Sequence, residues 1–324
     1  MRSSFAAGRD APREAEVVQC NSFCIGGVCI EILGSRPEPG FASSLALDAF
    51  RVQAGTPDVA VQVEWLPALP TVPAHQLFDS GCSWRLYEDE LGFRFDFYAA
   101  DLKGLPHKRL LIDSRFSRAR LQMNEEARER MPHLLSPLGY PLDELLIMHR
   151  LTQEKAIELH GVGVVGPNGG NNLFVGHSGA GKSTTARLWT SLHDVEILSD
   201  DRIIVREDKV REDKICEEKV REDANQIFMY GTPWHGEAHF ALPQRAPLQR
   251  IFVLEHGHGN VLTRLTRSQM VAELFARSFV PFHRHEYVDN ALSFLERVAD
   301  SVPCYRYSFE PDERAVEKII DFHD

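Results

Sequence analysis

Along the first hundred residues, apolar positions come in short runs divided by turn chemistry. Phe23 to Leu33 is apolar and glycine-interrupted, and the SRPEPG segment ending at Gly40 breaks it. Val59 to Leu66 alternates apolar and polar before the proline-rich PALPTVP, which predicts a strand with one buried face. Trp84 to Asp89 and Phe93 to Tyr98 flank an Asp-Glu-Leu-Gly turn and predict a hairpin. Side chains alternate along a strand, so Phe93, Phe95 and Phe97 share one face, and that face requires a partner sheet or helix.

Three prolines and a glycine interrupt Met131 to Pro141, which marks the boundary between a β-rich module, 1–140, and a second module, 141–324. Pro141 suits the first turn of a helix running to about Leu151, with Leu142, Leu145, Leu146 and Met148 to Leu151 on its apolar side. Ile157 to Val165 and Asn172 to Val175 read as strands joined by a GPNGGN turn. Strand and helix signals then alternate to the C-terminus, as in an α/β unit. That alternation ends in a strand from Cys304 to Phe309 and a helix capped by Asp312, with Val316, Ile319 and Ile320 packing.

Val205 to Ala224 breaks the pattern with four copies of a five-residue unit, VREDK, VREDK, ICEEK and VREDA. A period of five lines no continuous face of a helix or strand. From Val205 to Asp223 there are 8 acids and 6 bases, so the segment carries little net charge and reads as a solvated hairpin tip, with partner docking as the alternative.

The chain has 324 residues, 43% hydrophobic and 26% charged, enough to bury a substantial core; 36 Lys+Arg against 47 Asp+Glu give a net charge of -11. The acidic balance argues against a nucleic-acid coat, so affinity for phosphate must come from a local site. No apolar run approaches a bilayer span and Met1 to Gln19 holds no signal-peptide block, which predicts a cytoplasmic protein without membrane partners. Six cysteines at 20, 24, 29, 82, 216 and 304 form no regular framework and are expected as free thiols.

The strongest chemical signal is Gly176-His177-Ser178-Gly179-Ala180-Gly181-Lys182-Ser183, which satisfies G-x-x-x-x-G-K-[ST] between a predicted strand and a predicted helix that continues through Thr184. Such a loop turns its N–H groups around a phosphate at a helix N-terminus; Lys182 would reach the β/γ-phosphates and Ser183 would ligate Mg²⁺. VEILSDD, Val195 to Asp201, ends an apolar strand in two acids 18 and 19 residues after Lys182. One carboxylate there can organise a metal and the other can accept a proton from an incoming hydroxyl.

The pair His160-Gly161, the loop GHSGAGKS, SDDR at Ser199 to Arg202 and YGTPWHGE at Tyr230 to Glu237 together resemble the HPr kinase/phosphorylase group of P-loop serine kinases, whose catalytic domain is related to phosphoenolpyruvate carboxykinases. The resemblance covers about Pro141 to the C-terminus. It implies an α/β P-loop kinase domain of that type behind the β-rich N-terminal domain, using ATP and Mg²⁺. It further implies that Asp201 is the general base, that His160 lies near the transferred phosphate, that Ser183 and Asp200 hold metal, and that Glu237 is a second metal ligand. The residues alone do not separate Asp200 from Asp201. Members are often homo-oligomers, and some phosphorylate peptide serines. The glutamate-isoleucine-arginine-glycine signature of HPr-specific enzymes is replaced here by GTPWHGEAHF, so neither HPr nor phosphorylase activity is carried over.

Arg277 at a helix C-terminus reads as a cap, with phosphate contact as the alternative. His256, His258, His283 and His285 read as surface-loop histidines. HGEAH, 235 to 239, lacks the H-E-x-x-H order of zinc proteases, and Trp234 with His235 is placed near nucleotide or substrate. The sequence thus predicts an ATP-dependent, Mg²⁺-dependent kinase for a serine hydroxyl on a protein or peptide. A small-molecule or carboxykinase-like phosphotransferase and a non-catalytic nucleotide sensor are the alternatives.

Overall fold

Two large mixed sheets with helices against them make a mixed α/β architecture, seen in a computed structural model that describes residues 19–34, 45–99, 102, 104–130, 136–167, 170–209 and 225–322. The first part contains β1 (Gln19–Ile25), β2 (Val28–Gly34), α1 (Leu45–Asp48), β3 (Arg51–Val52), β4 (Val59–Leu66), β5 (Gln76–Asp79), β6 (Trp84–Asp89), β7 (Gly92–Tyr98), β8 (Pro106–Asp113), β9 (Arg118–Asn124), α2 (Glu125–Arg130) and α3 (Leu142–Leu151). There follow β10 (Ala156–Val165), β11 (Asn172–Val175), α4 (Lys182–Trp189), β12 (Glu196–Ser199), β13 (Arg202–Lys209), β14 (Asn225–Tyr230), β15 (Arg245–Pro247), β16 (Arg250–His256) and β17 (Val261–Arg264). The chain closes with α5 (Arg267–Phe275), β18 (Ser278–Phe279), α6 (His285–Ser301), β19 (Cys304–Phe309) and α7 (Glu313–Ile320). Among the described residues no helix is long and apolar enough to cross a membrane.

The first sheet has nine strands in the order β3-β1-β2-β4-β9-β8-β7-β6-β5. Its β1–β2 hairpin closes through Gly26 and Gly27, both left-handed at φ 58° and 78°, the geometry a two-residue turn of this kind needs. That register sets Cys24 opposite Cys29, and the two form a disulfide. The expectation of free thiols therefore fails for this pair, because sequence spacing does not reveal which positions face each other across a turn. Cys20, Cys82 and Cys304 are free, and Cys216 lies outside the described residues.

Phe93, Phe95 and Phe97 are each at most 1% exposed, as the alternation of β7 requires. The opposite face of β7 is buried as well. Asp96 there takes Arg109 bidentately, at 2.5 and 3.0 Å, while Arg109 and Arg94 donate to the carbonyls of Pro70 and Val72 in the proline-rich segment that covers them. The cover for the phenylalanines is α3, whose Leu142, Leu145, Leu146, Ile147 and Leu151 share their core. Ile204, Phe228, Tyr230 and Trp234 of the second part join that same core. His283 lies half-buried in the turn before α6, its ring edge-on to Phe93 at 5.4 Å and 5.3 Å from His149.

The second sheet runs β15-β14-β13-β10-β11-β16-β19-β17, with β12 and β18 also pairing with β10. Alternate side chains of its central strands serve opposite faces. Leu173, Val175, Ile251 and Val253 pack with α5 and α6, whereas Phe174, Phe252 and Leu254 pack with Ala186 and Trp189 of α4 and with Val316 and Ile319 of α7. The first unit of the five-residue repeat is not a hairpin tip: Val205 to Lys209 is strand, paired with β14, and Val205 is fully buried. The other units, 210–224, lie outside the described residues.

Candidate functional site

One strand organises the site. Residues 161–164 of β10 pair with β11, which leads into the glycine-rich loop, and residues 156–160 pair with β13, which leaves the acidic turn. The backbone closes the gap between them. Gly161 N–H donates to the Asp201 carbonyl at 3.0 Å, and Gly176 N–H points to the His160 carbonyl at 3.5 Å. His160 N–H in turn donates to the Arg277 carbonyl at 2.8 Å. His160 is thereby fixed between the loop and the acids.

The loop has the strand-turn-helix setting that its sequence predicts. Gly181 is left-handed at φ 98° and a Cβ there would stand 2.6 Å from Phe309 Cζ, so only glycine fits. Gly176 is buried, His177, Ser178 and Gly179 are exposed, and Ala180, Ser183 and Thr184 are half-buried. Lys182 opens α4 and donates from Nζ to the carbonyls of Gly176 and His177, at 3.0 and 2.9 Å. Burial pushes its amine down to about 8, and Arg202 and Arg277 push the same way against the opposing pull of Asp201. Arg202 and Arg277 are each paired with a carboxylate, Asp201 and Glu273, so the positive charge at the mouth of the helix rests mainly on Lys182, beside the loop's N–H groups. This environment fits a nucleotide's phosphates. His256, exposed as expected, donates from Nε2 to the Gly179 carbonyl at 2.6 Å and so braces the loop.

The two aspartates have different surroundings. Asp200 is 1% exposed and its carboxylate accepts three backbone N–H groups, from Gly236 at 2.9 Å, Ala238 at 2.8 Å and Phe240 at 3.2 Å. Asp201 is half-buried, with Oδ1 2.9 Å from His160 Nε2 and Oδ2 bonded to Arg202. Burial raises the Asp201 carboxyl, but the His160 hydrogen bond, Arg202 and Lys182 outweigh it and hold the group below the usual carboxylate range. It is an ionised acceptor at neutral pH.

Arg202 is itself held from behind. Its Nε lies 2.9 Å from Glu144 of α3 and 3.4 Å from Glu158 of β10, and its guanidinium stacks 4.0 Å over Phe279. Burial first, and then the neighbouring Glu144 carboxylate, hold Glu158 well above the usual carboxylate range. The sequence offered no signal for Glu144 or Glu158, which reach Arg202 only through the packing of α3 against β10.

The remaining candidates divide. Arg277 caps α5, as its position predicts, through its Nη1 bond to the Glu273 carbonyl at 2.7 Å, while its charge also reaches Lys182. Trp234 is not at a nucleotide surface: it is 8% exposed and its indole N–H donates to Asp143 Oδ2 at 2.9 Å, tying its loop to α3. Glu237 is exposed on the loop that Asp200 holds. Of the expected metal ligands Ser183, Asp200 and Glu237, Asp200 does not fit, because it is 1% exposed and spends both carboxylate oxygens on backbone N–H groups. Among the described residues no three His, Cys, Asp or Glu side chains converge on a metal position. A magnesium ion there would take most of its ligands from phosphates and water, as this ion does in phosphoryl-transfer sites.

No protein-family model matches the chain, and no curated protein matches it either.

Proposed function

We propose that this chain is an ATP-dependent serine kinase of the HPr kinase/phosphorylase-like type, working in the cytoplasm on a hydroxyl of a protein or peptide. The observation that carries this reading is the backbone-locked approach of two elements, the loop around Lys182 and the ionised Asp201 beside His160. A nucleotide sensor needs the first element and has no use for the second.

In this reading the loop amides and Lys182 bind the phosphates, and Ser183 would hold Mg²⁺. ATP supplies the γ-phosphoryl group when bound, and the metal offsets its charge. Asp201 accepts the serine proton as that oxygen attacks. His160 and Arg202 fix the carboxylate's orientation, so little reorganisation is left for the transition state. Glu144 and Glu158 act through Arg202 as positioning residues. The nine-stranded N-terminal part selects the acceptor, and the chain acts as a homo-oligomer.

The test is transfer of radiolabelled γ-phosphate, with Mg²⁺, to a lysate of the native host and to peptides encoded beside the gene, comparing wild type with Asp201→Asn. An acid-stable labelled protein or peptide formed only by wild type supports the kinase. Tight, Lys182-dependent nucleotide binding with no labelled protein or peptide would refute it in favour of a small-molecule kinase or a sensor.

A further inference from the structure

The HGEAH element has no part in the chemistry above, yet its fold is specific. Asp200 gathers the backbone of residues 236 to 240 around its carboxylate. Gly236 lies so close that a Cβ there would stand 2.9 Å from Asp200 Oδ2 and 3.4 Å from Asp201 Cβ. His239 takes a left-handed backbone, φ 62°, and its N–H donates to the Gly236 carbonyl at 3.3 Å. The chain therefore doubles back, and two exposed imidazoles four positions apart, His235 and His239, are brought together. His235 Nδ1 and His239 Nδ1 are 3.2 Å apart, with ring centroids separated by 4.7 Å.

Two imidazole nitrogens bound to one tetrahedral zinc at about 2.0–2.1 Å stand roughly 3.3 Å apart. The observed separation has that span. We propose that His235 and His239 form a two-imidazole site for a borderline divalent transition metal, zinc foremost, on the loop that rests against Asp201. Nitrogen ligands select such ions over magnesium and calcium, which prefer oxygen. Since a carbonyl only accepts, the contact of His235 Nδ1 with the Gly236 carbonyl, 3.1 Å, places a proton on that nitrogen, and His239 Nδ1 accepts from it. Metal binding moves this proton to Nε2 of the same ring and leaves both Nδ1 lone pairs on the metal. Among the described residues no third His, Cys, Asp or Glu joins the pair. The site is consequently open, with its other positions taken by water or by an anionic oxygen of a ligand.

The site does not depend on the kinase reading, and its test needs no nucleotide. Zinc and cobalt(II) binding to the full-length chain at neutral pH is measured by equilibrium dialysis and, for cobalt, by its ligand-field spectrum. His235→Gln, His239→Gln and, as an exposed control elsewhere, His75→Gln are compared with wild type. One metal per chain is expected, weakened roughly ten-fold or more by either loop substitution and unchanged by His75→Gln, with excess magnesium failing to compete. Absence of bound metal in wild type, or equal binding by wild type and both loop variants, would overturn the proposal. The fourteen histidines of the chain make the control necessary, because scattered surface imidazoles would respond to no single substitution.

Discussion

Asp200→Asn and Asp201→Asn remove the same charge from adjacent residues and should fail in different ways. At Asp200 the carboxylate accepts two N–H groups on Oδ1, from Gly236 and Phe240, and one on Oδ2, from Ala238. An asparagine can keep its oxygen toward the first pair, but its NH₂ then faces the Ala238 N–H, donor against donor, at a site 1% exposed. Losing one charge-assisted bond, at about 1.5–3 kcal/mol, and stranding a buried donor, at about 1–3 kcal/mol, together cost about 2.5–6 kcal/mol. Asp201 is half-buried and its ion pairs are partly solvated, so Asp201→Asn should change stability by about 1 kcal/mol or less. Turnover, however, should fall by roughly 10²–10⁴ when the general base is removed. Urea unfolding reads the first difference, and γ-phosphoryl transfer with nucleotide affinity reads the second. If Asp200→Asn unfolds at the wild-type midpoint, or if Asp201→Asn turns over normally, the assignment of a loop anchor and a base is wrong.

Three further outcomes are expected. Lys182→Met should weaken nucleotide binding by roughly 100-fold, the equivalent of about two charged hydrogen bonds, and wild-type affinity should decline as pH rises through about 8, where the free protein's amine loses its proton; affinity that stays flat to well above that pH argues against the buried lysine. Glu144→Gln removes the carboxylate nearest Arg202, at 2.9 Å, and should lower kcat more than it raises KM, whereas Glu158→Gln, at 3.4 Å and with burial pushing its carboxyl toward the neutral form, should have the smaller effect; equal effects of the two would refute the distinction. His149 donates from Nδ1 to the Leu145 carbonyl, and burial depresses its ring to about 3, below the ordinary value of about 6.5. The unfolded chain therefore takes up the proton first as pH falls, so stability is full above about 6.5 and declines by about 1.4 kcal/mol per pH unit between there and about 3. Burial also depresses His107 and His283, both to about 4, so stability measured by urea unfolding between pH 7 and pH 5 should fall at least that steeply, and His149→Gln should reduce the slope by about 1.4 kcal/mol per pH unit without abolishing it.

How much of this was legible beforehand varies with the range of the interactions involved. The hairpin from Trp84 to Tyr98, the strand Val59–Leu66, the loop from Gly176 to Ser183 and the cap at Asp312 all follow from neighbours within a few residues and could be read from the chain. Periodicity, glycine freedom and side-chain capping are local physics. Local spacing also set the two acids one short helix beyond Lys182.

The rest depends on groups that arrive from far along the chain. Asp200 and Asp201 are indistinguishable in sequence, and they differ because N–H groups 36 to 40 residues away reach one of them while His160 and Arg202 reach the other. Tilting α3 onto β10 brings Glu144 to Arg202 across 58 residues. The same packing buries Trp234, which the sequence alone places at a ligand. The Cys24–Cys29 bridge needed the register of one hairpin, and the closeness of His235 to His239 needed the Asp200 staple. A side chain's role is fixed by the donors, acceptors and charges that surround it, and in a folded chain most of those come from other elements.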